Sequence, residues 1–211
     1  MRCLKFQVFT TQRKKMALVL VLAFTLSLIW PLAKYILTPA RLPWLLESGL
    51  VEETQAEVRL ILWFDGDEIP RALRRELTQE KWEWHTSAKE TAGGMQAVTV
   101  LGRRLVTRDE ETEINKWYAG FAAQVERNGG TLYLDERVAG AVDIAAYLAQ
   151  VEAQPRQWMA ADQTHSIAAY RPDGSKTVQA GPDRINVQVL TRSGTGTGKS
   201  VLALPTLLED F

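Results

Sequence analysis

Eighteen consecutive uncharged, predominantly apolar residues, Met16 to Ala33, constrain this chain more than any other feature. A helix needs roughly 20 such residues, at about 1.5 Å each, to cross the hydrocarbon core of a bilayer. A buried helix of a soluble domain keeps a polar face, and this one has none. Arg13, Lys14 and Lys15 stand directly before it. The positive-inside bias therefore puts residues 1–15 in the cytoplasm, makes 16–37 a transmembrane signal anchor, and carries the rest of the chain outside. A cleavable signal peptide has a shorter apolar region, about 7–15 residues, and a small-x-small exit site. Thr38-Pro39-Ala40 offers such a site, so secretion after cleavage near Ala40 is the alternative. The length of the run favours the anchor.

Charge divides along the same boundary. Of 25 basic residues, six lie within residues 1–37, which hold no acidic one; the remaining 19 face 25 acidic residues, a net of −6. The only cysteine, Cys3, belongs to the leader, where it is either a plain thiol or an acylation site. The exported body therefore has no disulfide and no cysteine-built zinc site, and folds on packing alone. Binding nucleic acid requires a surplus of Lys and Arg on the docking face, and an acidic body outside the cytoplasm excludes it.

Residues 38–56 read as a Pro-punctuated linker, with Trp44-Leu45-Leu46 placed at the membrane interface. Glu57 to Phe64 is a strand rich in β-branched and aromatic residues. A helix is expected next, capped by Asp67, with Pro70 in its first turn and Ile69, Leu73 and Leu77 as its apolar stripe. Lys81 to Thr86 alternates tryptophan with charge, as a half-exposed strand does. Gly93-Gly94 turns the chain into strand Gln96 to Val106. Thr107-x-x-Glu110 is a capping box, and Ile114, Trp117, Tyr118, Phe121 and Val125 follow at helical spacing until Asn128-Gly129-Gly130. The order then recurs: strand Thr131 to Asp135, helix Ala141 to Gln154, Trp-bearing strand Arg156 to Ala160. A meander closes the chain through Ser166 to Tyr170, Lys176 to Ala180, Arg184 to Arg192 and Val201 to Leu204. Ile185, Val187 and Val189, alternating with Asn186 and Gln188, predict one covered and one wetter sheet face. The fold class is α+β: two pseudo-repeated halves, 57–130 and 131–211, each laying a helix on an antiparallel sheet.

The leader, the strand–helix body and the tail bear a likeness to a known family. Ile185-Asn186-Val187-Gln188-Val189, a polar hairpin loop, an apolar strand into Pro205, and the acidic-aromatic end Glu209, Asp210, Phe211 carry it. The chain resembles the YwmB family, exported proteins of spore-forming Gram-positive bacteria. The resemblance implies a TATA-box-binding-protein-like fold, a twinned saddle of antiparallel strands backed by helices. It implies no catalytic residues.

The chemistry-bearing motifs are few. Ser193 to Ser200 ends in Gly198-Lys199-Ser200 like a phosphate-binding P-loop, but its first position is Ser193 rather than glycine. Such a loop must also feed a helix, and Val201 to Pro205 is too short for one. A flexible hairpin loop accounts for it better. His85 and His165 each follow a Trp-bearing strand, so a cell-envelope enzyme with a site between the halves is the runner-up function; strand-end histidines are the simpler account. Asp65, Asp67 and Glu68 lack calcium-loop spacing, and Asp109 to Glu113 suits a helix start. No catalytic, metal or cofactor residue is assigned, and no cofactor is expected. Trp82 and Trp84, on one strand face among charges, are the candidate docking face; the core is the alternative for both rings. The function expected is therefore an extracytoplasmic, membrane-anchored binding module for a protein or peptide partner in the envelope.

Overall fold

The computed structural model describes residues 41–208 apart from 67, 79–80, 91–95, 173–175 and 194–197. The leader, the Asp67 cap, the Gly93-Gly94 turn and the last three residues lie outside them. Among the described residues no helix is long and apolar enough to cross a membrane.

The fold is α+β, a large antiparallel sheet with helices packed on one face. Its strands are β1 (Gln55–Asp65), β2 (Glu83–Glu90), β3 (Gln96–Thr107), β4 (Gly130–Val138), β5 (Gln154–Ala161), β6 (Thr164–Tyr170), β9 (Val187–Arg192) and β10 (Lys199–Leu204), while β7 (Val178–Ala180) and β8 (Asp183–Ile185) pair separately. The eight run in the order β2-β3-β1-β4-β10-β9-β6-β5. Strand alternation sorts the side chains. Val58, Leu60 and Leu62 of β1 and Leu132 and Leu134 of β4 enter one core, with the helices above it. On the other face the register sets Glu83, Arg103, Arg59, Asp135, Ala203, Gln188, Ala168 and Gln157 side by side across all eight strands.

Helix α2 (Arg108–Arg127) starts where the capping box predicts. The Glu110 carboxylate accepts the Thr107 N–H at 3.3 Å and its hydroxyl at 3.2 Å. It stops at Gly129, whose φ of 78° suits glycine. Helix α3 (Ile144–Gln150) is shorter than the Ala141 to Gln154 segment expected. Its front is claimed by the sheet: the Val142 N–H donates to Ser200 Oγ at 2.8 Å, and Ser200 donates to the Gly140 carbonyl at 2.7 Å. Asp143 is thereby left as the cap, accepting from the Ala146 N–H at 3.0 Å. At the rear, Glu152 at φ 55° and the Ala153 N–H donating to the Leu148 carbonyl close the helix.

Three further expectations are corrected. Between β1 and β2 the described residues form no α-helix; they make two 3-10 turns, Arg71–Leu73 and Glu76–Thr78, bonded three residues back. Three apolar residues over nine positions bury Leu73 and pack Ile69 and Leu77 against the core, but do not sustain a longer helix. The Arg184 to Arg192 strand splits at Asn186, which is buried rather than on a wet face. Its amide accepts the Arg171 N–H and donates to the Arg171 carbonyl, both at 2.7 Å, doing for that segment what a neighbouring strand would do. Finally, Trp44, Leu45 and Leu46 are at most 1 % exposed and belong to the core, not to a membrane interface. Leu45 and Leu46 open the one-turn helix α1 (Leu45–Ser48).

Candidate functional site

A cleft of about 440 Å³ opens between edge strand β2 and the 3-10 turns. Trp84, Thr86 and Ala88 line it from β2, Val98 and Val100 from β3, and Ile69 and Leu77 from the facing turns, with Glu68 and Arg74 paired at 3.5 Å beside them. Its floor is fixed by packing. Gly102 stands opposite Trp84 in the ladder, and a Cβ there would overlap the indole ring, so only glycine lets the ring lie flat on the sheet. From that ring an aromatic column runs into the core. Trp84 stacks on Trp82 at 5.4 Å, Trp82 meets Trp117 at 5.4 Å, and Trp117 stacks on Phe121 at 4.8 Å. The two tryptophans named from sequence are thus together, with different exposures. Trp82 is 5 % exposed and buried in the core, and Trp84 lines the cleft.

The other residues singled out from sequence do not converge. His85 is on β2, at one end of the sheet, and His165 on β6, six strand steps away or roughly 29 Å along the sheet. Alternation also places them on opposite faces, since His165 shares its face with Thr191 and His85 points away from the cleft-lining Trp84 and Thr86. Lys199 and Ser200 begin strand β10, and the Ser200 hydroxyl is buried against Gly140 and Thr191. Asp65 ends β1 and accepts from Trp63 Nε1 at 3.0 Å. Arg13, Lys14 and Lys15 lie outside the described residues. No group of His, Cys, Asp and Glu able to hold a metal ion occurs among the described residues.

Two features had no sequence signal. The first is a buried carboxylate pair. Glu136 of β4 is wholly buried, accepts the N–H groups of Leu45 and, at 3.2 Å, Leu46, and so caps α1. Burial, and then the adjacent Glu111 of α2, hold its carboxyl well above the ordinary range, and Tyr147 is raised by the same surroundings. The second is the far edge of the sheet. Seven of the eight residues of β5 are exposed; Trp158 is 80 % and Met159 58 % accessible.

No family model matches this chain, and no curated protein sequence matches it either.

Proposed function

We propose that this is an extracytoplasmic envelope protein, held by one N-terminal membrane span, whose domain binds a protein or peptide without catalysis. A relationship to the YwmB family, and with it a twinned TATA-box-binding-protein-like saddle, belongs to the same proposal. Sheet order supports the twinning. β1 and β4, the first strands of the two halves, are antiparallel neighbours, and the last strand of each half, β3 or β10, flanks its own first strand. The observation that carries the binding function is the cleft along β2. A groove beside an edge strand is where an extended peptide adds to a sheet, pairing its backbone with the edge and seating alternate side chains in the groove. The walls here select an apolar side chain. The runner-up, an enzyme using both histidines, gains nothing from imidazoles so far apart.

Two experiments test this. Protease added outside intact cells should digest the body and spare a fragment containing Met1 to Lys15; a fully protected body would refute the topology. Thr86→Arg or Ala88→Arg fills the cleft from exposed positions without touching the core. Either should abolish capture of an envelope partner that the unaltered chain captures, at unchanged melting temperature. Equal capture by the filled variants refutes docking in the cleft. Trp84→Ala is a poorer probe, because truncating a packed aromatic costs about 3–5 kcal/mol and weakens the column itself.

A further inference from the structure

The free edge of β5 fits a second copy of itself. Among the described residues no strand pairs with its outer side; Pro155 and the bulge between Pro155 and Gln157 blunt its first residues, which leaves Gln157 to Ala161 as the stretch open to pairing. Which backbone groups face outward follows from the turn. Ala161 and Thr164 flank the two-residue loop Asp162-Gln163, so they form a hydrogen-bonded pair, as do Met159 with Ser166 and Gln157 with Ala168. Trp158 and Ala160 therefore turn their N–H and C=O away from β6, towards open solvent.

An antiparallel partner strand must oppose outward-facing residues to outward-facing residues. A twofold axis through Met159 does so, and sets Trp158 opposite Ala160 of the copy, Gln157 opposite Ala161, and Arg156 opposite Asp162. The bulky indole meets the smallest side chain available, and the two indoles become diagonal neighbours within reach of each other. The only charged side chain of β5 meets an exposed acid, twice by symmetry. An axis through Trp158 also obeys the backbone pattern, but sets the two indoles head-on and leaves Arg156 facing Ala160. We infer that β5 pairs with β5 of a second copy in the Met159-centred register, joining two eight-stranded sheets into one. This uses the edge opposite the β2 cleft and stands or falls independently of it.

The test uses the full-length chain in detergent with Cys3→Ser, so that any introduced thiol is the only one. Met159 faces its own copy in a non-hydrogen-bonded pair, with Cα atoms about 4.5 Å apart, inside the range a disulfide spans. Met159→Cys should form an interchain disulfide on mild oxidation, and Ala161→Cys, which faces Gln157 of the copy, should not. Sedimentation at micromolar concentration should give twice the chain mass for the unaltered protein and the single mass for Trp158→Asp, an exposed position where folding is unaffected. A single mass for the unaltered protein overturns the proposal, even if the edge then captures some other protein. Cross-linking at Trp158→Cys in preference to Met159→Cys overturns the register.

Discussion

Glu136 ties the start of the described chain to a central strand of the sheet through one carboxyl group. It caps Leu45 and Leu46 from 91 and 90 residues away, with Glu111 beside it, and no local pattern betrays this: Asp135-Glu136-Arg137 reads as a polar strand end. Because its folded-state pKa is raised above the ordinary 4.5, the stability it contributes is fully present below that value and is lost as pH rises through the folded value. Urea midpoints at about pH 5 and about pH 8 should therefore fall with pH, and Glu136→Gln, which stays neutral and keeps an acceptor oxygen, should flatten that component. Glu110 acts in the opposite sense. The Thr107 N–H holds its carboxyl below the ordinary range, so its contribution fades as pH drops. Asn186 is a second residue whose role is set at a distance. Asn186→Ala removes both of these bonds to the Arg171 main chain at a buried site, at about 0.5–1.5 kcal/mol or more for each, measurable as a lowered urea midpoint.

Elements with strong local signals were legible from sequence, and those decided by their neighbours were not. The apolar run of β1 and the capping box of α2 form where local preference alone puts them. Helix α3 and the 3-10 turns depart from the sequence reading because β10 claims the backbone before α3, and because the stripe after β1 is too short to propagate. The cleft was half legible. Alternation places Trp82 and Trp84 together, but which ring enters the core depends on Trp117 and Phe121, which arrive from α2. Gly102 supplies the test. Gly102→Ala should destabilise the domain by about 1–3 kcal/mol through overpacking against Trp84. In a Trp84→Ala background the same change should cost much less, so thermal unfolding of the four proteins should be non-additive.

At the scale of the whole molecule, the residues just after the leader are structural. Asn115 Nδ2 donates to the Leu42 carbonyl at 2.8 Å, Tyr147 Oη to the Pro43 carbonyl at 2.7 Å, and Gln150 Nε2 to the Ser48 carbonyl at 3.2 Å. Residues 38–56 are thus only in part a linker. A chain starting at Val51 should lose cooperative unfolding in circular dichroism, while one starting at Leu42 keeps it. The shorter chain gives up three buried apolar side chains at roughly 1.5–3 kcal/mol each and leaves Glu136 with no helix to cap. For the proposed anchored protein this stitching has a mechanical meaning. A pull arriving along the chain from its N-terminal side would load α1 and the carboxyl group that caps it before it reached any strand of the sheet.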